Sequence, residues 1–205
     1  MRAWPLRPAR GFVFTLLFCV LLGPLAPSLA APQPKEGSLP PTAPTPEDRE
    51  AARKLWVMGY LFHEMGAYRR AIAFYQASLE KAPSAEAYTF WAWSLSHLGE
   101  LDEAIRLCKK AIAVDPDFGN PYNDIGAYLI EKGRPEEAIP WLKRAMQAKR
   151  YCCPFFPHYN LGRIWAARGE WRKALASFRK ALDLKPDFEA ARQAIQAIQE
   201  HVREL

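Results

Sequence analysis

The chain has 205 residues, half of them apolar and 13% aromatic, with 28 basic against 22 acidic side chains. That much apolar material supports a packed core and excludes global disorder. No run of roughly 18 uncharged apolar residues lacks an early helix breaker, which excludes a multi-span membrane protein, and the length allows one domain or one plus a tail.

Residues 1–30 read as a signal peptide for export. Arg2, Arg7 and Arg10 form a basic start with no acid among them, and Gly11–Leu22 is an apolar run too short for a comfortable bilayer span of about 20 residues. Gly23 and Pro24 break it, and Ser28 and Ala30 are the small residues that precede a cleavage point. The expected location is periplasmic or secreted, with an uncleaved signal anchoring the protein to the membrane as the alternative. Cys19, between Phe18 and Val20, lacks the small neighbour of a lipoprotein signal. Taking three arginines from the 28 basic residues leaves 25 against 22 acids, a net +3, so the basicity argues for no nucleic-acid partner. Residues 31–45 are a proline-rich linker: with Pro46 the stretch holds six prolines, which fix φ and remove amide donors.

From residue 52 the sequence repeats. Gly66, Gly99, Gly133 and Gly169 recur at spacings of 33, 34 and 36. Small residues stand seven before each (Gly59, Ala92, Gly126, Gly162) and five after (Ala71, Ala104, Ala138, Ala174). Nine after come Tyr75, Cys108, Leu142 and Phe178; twelve after come Ser78, Ala111, Ala145 and Ala181; seventeen after come Pro83, Pro116 and Pro186, with Arg150 as the exception. Apolar residues at helical spacing on both sides of each glycine give two amphipathic helices per unit. The glycine ends the first, because it alone takes left-handed backbone without a Cβ clash, and the proline ends the second. A single pair cannot bury its apolar face, so the pairs must stack.

Nine helices are predicted. The first spans 46–65 with Thr45 as N-cap and Glu47 and Asp48 in its first turn; the rest span about 68–82, 85–98, 102–114, 121–132 (Asn120 as N-cap, Pro121 at its first position), 135–147, 157–168, 171–184 and 187–203. The last lacks the glycine pair and carries the polar outer face a solenoid end requires.

The pattern of small residue, glycine turn, alanine, larger apolar residue, small residue and proline resembles the tetratricopeptide repeat family over about 52–188. The resemblance implies an all-α, right-handed α-solenoid: four helix pairs within 46–188 (about 52–84, 85–118, 119–152 and 155–188) and a capping helix at 189–205. The fit is loosest at Tyr151-Cys152-Cys153-Pro154, where two extra residues are inserted and a kink or gap is expected.

The resemblance also implies a concave groove lined by the first helix of each pair. Carried over by position, its residues are Trp56, Tyr60 and His63; Thr89, Trp93 and Ser96, with His97 beside them; Asn123, Ala127 and Ile130; and Tyr159, Asn160 and Arg163. One subset of the family grips a peptide's terminal carboxylate with lysines and asparagines there. Here Trp56 and Thr89 stand at the lysine positions, which argues against that clamp. Aromatic residues in a groove suit extended or proline-containing peptides. The same aromatics could instead pack between repeats.

Two adjacent thiols, Cys152 and Cys153, with His158 nearby raise a second function: thiol, metal or haem handling in envelope protein maturation. Adjacent cysteines suit tetrahedral metal ligation poorly, and no CxxC occurs. Without residues 1–30 three cysteines remain, an odd number, and Cys108 stands at a core position. No nucleophile elbow, metalloprotease motif or phosphate loop is present. The expectation is therefore a non-enzymatic scaffold of the cell envelope. It would use no catalytic residues, metal or cofactor and would bind a protein or extended peptide, with membrane contact only through an uncleaved signal. Self-association through exposed repeat ends is a further option.

Overall fold

The computed structural model describes residues 43–203. The expected signal and most of the linker lie outside the described residues. Among the described residues there are nine helices and no strand: α1 (Pro46–Glu64), α2 (Tyr68–Lys81), α3 (Ala85–His97), α4 (Leu101–Val114), α5 (Asn120–Glu131), α6 (Pro135–Gln147), α7 (Phe155–Ala167), α8 (Trp171–Leu184) and α9 (Glu189–Arg203). None is long and apolar enough to cross a membrane. Successive helices pack in pairs, α1 on α2 through α7 on α8, and the pairs stack as an α-solenoid with α9 at its end.

The repeat glycines act where the sequence places them. Gly66, Gly99, Gly133 and Gly169 have φ of 73°, 82°, 72° and 73°, and among the described residues no other has positive φ. Each closes the first helix of a pair; at Gly99, for example, the amide of Glu100 returns to the Leu95 carbonyl at 3.0 Å. Within each pair the axes close on a small residue of the first helix facing a larger one of the second. A Cβ added at Gly59 would lie 2.5 Å from the Tyr75 ring, at Gly126 2.5 Å from Leu142, and at Gly162 2.5 Å from the Phe178 ring. In the second pair the contrast is smaller, with Ala92 rather than glycine on the first helix and the compact Cys108 rather than a large side chain on the second. Tyr75, Cys108, Leu142 and Phe178 are all fully buried.

Two large buried clusters result, beside a small one of Ala85, Ala111 and Phe118. One runs from Ala92 and Leu95 through Leu107, Ile125 and Leu142 to Ile164. The other joins Phe155 and Phe178 to Ala191, Ala194 and Ile198 of α9. The outer face of α9 is polar and exposed at Arg192, Gln193, Gln196, Gln199 and Glu200, which seals the last apolar surface.

Thr45 caps α1 in a capping box: its hydroxyl accepts from the Asp48 amide at 3.1 Å, and the Asp48 carboxylate accepts from the Thr45 amide at 3.1 Å. Four helix starts differ from prediction by one or two residues: α4 begins at Leu101 rather than 102, α9 at Glu189 rather than 187, and α5 and α7 each shift for a visible reason. Asn120 is the first residue of α5 rather than its N-cap, and Gly119 is the cap residue, with helical φ and ψ. The cause is tertiary: the Gly119 amide is held by the Arg150 carbonyl at 3.0 Å, so the chain turns helical one residue early. Helix α7 begins at Phe155, not at residue 157, because Pro154 already has helical dihedrals and the Phe156 amide reaches the Cys153 carbonyl at 3.1 Å. Pro157 then falls in the first turn, where an amide has no intrahelical partner to lose.

The insertion before α7 produces a built junction. Residues 148–154 form a loop bonded to the preceding turn, with Arg150 donating to the Asp117 carbonyl at 2.9 Å and pairing with Phe118 in an isolated bridge. The Arg150 guanidinium lies 4.2 Å over the Phe118 ring and pairs with Asp115 and with Glu86, 64 residues earlier. Helix α5 meets α7 directly, so the stack continues across the insertion.

Candidate functional site: the concave groove

The inner faces of α1, α3, α5 and α7, with the 148–154 loop, enclose a cavity of about 790 Å³. The position six residues before each turn glycine lines it in every repeat: Tyr60, Trp93, Ala127 and Arg163. Trp56, Ser96, His97, Asn123, Ile130, Tyr159 and Asn160 also face it.

Two predicted groove residues lie elsewhere. Thr89 is fully buried, and its hydroxyl donates to the Ala85 carbonyl at 2.8 Å, satisfied within its own helix. His63 is buried beneath the groove, with Nδ1 2.9 Å from the Ser94 hydroxyl and its ring edge-on to Tyr68 and His97. Burial, then the neighbouring His97, lowers its pKa to about 4, so His63 is a neutral packing residue.

One end of the groove is aromatic. The Phe90 ring stands edge-on to Trp56 at 5.2 Å and to Tyr60 at 5.5 Å, and lies 4.7 Å from Trp93. The two alternatives for these aromatics therefore both hold: they pack on one another between α1 and α3 and still face the cavity. Such contacts add about 1 kcal/mol each beyond burial and hold the rings in place.

The other end is polar. Arg163 donates to Asn160 Oδ1 at 3.2 Å, Asn160 Nδ2 to Asn123 Oδ1 at 3.1 Å, and Asn123 Nδ2 to Asp124 Oδ1 at 3.3 Å; the second carboxylate oxygen of Asp124 accepts the Trp93 indole N–H. This row crosses α7, α5 and α3 along the groove floor. Asp124 is 7% exposed. Burial raises its pKa to about 7, against the opposing effect of the two hydrogen bonds. Arg163 is the one cation among the lining lysines and arginines, and Asp124 and Glu131 are the acids.

Phe90, Asn120, Asp124, Tyr128, Glu131, Tyr151 and Phe156 line the groove without having been expected there. A signal for two of them was available: Phe90 and Asp124, like Asn160, stand nine residues before a turn glycine. Cys152 and Cys153 face the same cavity, but the third member of the proposed thiol site does not join them. His158 is half-buried on α7, its pKa lowered by burial and then by Lys180 of α8. Among the described residues no group of three or more His, Cys, Asp or Glu could hold a metal ion.

Family models described as tetratricopeptide repeat match residues 85–118, 155–188 and 107–139. The chain is 31% identical over 105 residues to small glutamine-rich tetratricopeptide repeat-containing protein 2 of Mycosarcoma maydis, covering 51% of this chain and 30% of that protein. It is 25% identical over 140 residues to the inactive TPR repeat-containing thioredoxin TTL3 of Arabidopsis thaliana, covering 63% and 20%. The chain thus spans under a third of either relative. Among solved structures, Pseudomonas aeruginosa pilF superposes with a TM-score of 0.71 at 25% identity, covering 77% of this chain and 72% of that one. YrrB, described as a tetratricopeptide repeat protein with an unusual peptide-binding site, superposes at 0.57 with 20% identity, covering 71% and 75%.

Proposed function

We propose that this chain, which belongs to the tetratricopeptide repeat family and is a scaffold for protein–protein interaction, holds an extended peptide segment of its partner in the concave groove. The observation that carries the reading is the two-part floor. Fixed aromatic faces of Trp56, Tyr60, Phe90 and Trp93 are followed by an amide row that ends in Arg163. Rings already locked against one another lose little entropy on binding and offer apolar faces to proline or other apolar side chains. The Arg163 guanidinium uses one of its donors on Asn160 and keeps others for a peptide carbonyl or carboxylate. A peptide with an apolar or proline-containing stretch followed by an acceptor-rich one fits this order. The peptide-binding description of YrrB supports the reading by analogy of fold. The export pattern of residues 1–30 supports a place of work in the periplasm or outside the cell.

The test is a display of extended peptides presented to the protein, followed by affinity measurement on the best binder with Tyr60→Ala and Arg163→Ala. Tyr60 is exposed and Arg163 half-buried, so both variants should keep the helical circular dichroism of the parent. Each should weaken binding about tenfold, a loss of ~1.4 kcal/mol. Unchanged affinity in both folded variants would remove the groove from the function.

A further inference from the structure

The wall between α6 and α7 carries chemistry that peptide docking does not use. Cys152 is exposed and Cys153 half-buried, both face the cavity, and their Sγ atoms lie 2.8 Å apart, one thiol donating to the other. They are held there by construction. The Arg150 backbone is bonded on both sides to the 117–119 turn, its guanidinium is paired with Glu86 and Asp115, and the Tyr151 side chain fills the space beside Gly119, where a Cβ would lie 2.4 Å from it. The third described cysteine, Cys108, is fully buried, and burial raises its thiol pKa well above the usual range. A reagent therefore meets one adjacent pair in a fixed loop, with no competing thiol at hand among the described residues.

We propose that Cys152 and Cys153 form a redox-active dithiol that closes into an intramolecular disulfide by exchange with a low-molecular-weight disulfide. The Cys152 thiolate attacks one sulfur of the reagent R–S–S–R, forming a Cys152–S–S–R bond and releasing one thiolate. Cys153 then attacks Cys152 Sγ, forms the Cys152–Cys153 bond and releases the second. Two electrons pass to the reagent, and the two thiol protons end on two molecules of R–SH. The order follows from access and acidity. Cys152 is the exposed sulfur, whereas burial and the neighbouring thiol push the Cys153 thiol up to about 12, so Cys153 reacts once its partner sulfur is already beside it. Closure replaces two thiols on the groove wall with an apolar bridge next to Tyr151 and Phe156.

The test treats the reduced full-length protein with glutathione disulfide, then alkylates it and maps the peptides so that Cys19 is scored separately. The expected product is a monomer that has lost two hydrogens, with neither Cys152 nor Cys153 alkylated and both restored by dithiothreitol. Cys153→Ser should instead hold one glutathione on Cys152. A persistent glutathione adduct on Cys152 of the parent protein, a disulfide-linked dimer, or two thiols still alkylated would each overturn the proposal. The readout is covalent mass, so it stands or falls separately from peptide binding.

Discussion

The contact between Gly162 and Phe178 tests how the helix pairs are held. In isolation Gly162→Ala should help a helix interior by about 1 kcal/mol, because alanine loses less backbone entropy on ordering. Here the new Cβ would lie 2.5, 2.6 and 2.9 Å from three atoms of the Phe178 ring. That ring is fully buried and 5.5 Å from Tyr159, so it cannot swing into solvent. Overpacking of this kind costs about 2–3 kcal/mol, which turns the expected gain into a net loss of about 1–2 kcal/mol. The second repeat shows the compensated form, alanine opposite cysteine. Phe178→Cys alone should cost about 3 kcal/mol for the emptied volume. In that background Gly162→Ala should become stabilising by about 1 kcal/mol, a coupling of about 2–3 kcal/mol between the two sites. Urea unfolding followed by far-ultraviolet circular dichroism on the four members of the cycle measures it. If Gly162→Ala has the same effect with and without the Phe178 ring, the close approach is not what sets the pairing.

Asp124 should give a pH signature. Its folded pKa of about 7 lies above the usual carboxylate value, so between pH about 4 and 7 the folded state keeps a proton that the unfolded chain has lost. Stability should then fall as pH rises through this window, by up to ~1.4 kcal/mol per unit, and level off above it. Asp124→Asn should flatten that part of the profile, and identical urea midpoints against pH for both proteins would contradict the assignment. Thr45→Ala should lower stability by about 1 kcal/mol in thermal unfolding, since it removes the hydroxyl arm of the capping box. Arg150→Ala should cost no more than about 1 kcal/mol, because its ion pairs are half-exposed, yet it should raise hydrogen exchange at the Gly119 amide several-fold as the loop loosens. Equal protection at Gly119 in both proteins would show that Phe118 and Tyr151 hold the loop without it.

Most of the architecture was legible because it is written in local chemistry. The four turn glycines, the small residues at the pair contacts and the terminating prolines each answer a steric demand that sequence spacing displays. The groove was legible where a residue's position in its helix decides the matter, as at Tyr60, Trp93 and Arg163. It was not legible where burial decides. Thr89 stands at a groove position by spacing but turns inward to its own helix. Nothing in the spacing marks Asp124 as buried, and its partner Trp93, which donates to it, stands 31 residues earlier. The junction was only partly legible for a related reason. A lost proline and two extra residues mark the place where a kink or gap is expected, but they do not reveal the contact from Arg150 to Glu86 that ties the loop to the second repeat.

The row of polar side chains on the groove floor has a sense of direction. Arg163 can only give hydrogens, and at the other end the two Asp124 oxygens accept from Asn123 and from Trp93. Between two such ends, neither Asn160 nor Asn123 is free to swap its oxygen and nitrogen without leaving a hydrogen facing a hydrogen. The amides are therefore aligned head to tail, their hydrogens pointing from Arg163 on α7 toward Asp124 on α5. The groove floor is therefore a polarised track with two chemically different ends, donor at Arg163 and acceptor at Asp124, and under the proposed peptide docking it would distinguish one chain direction from the other.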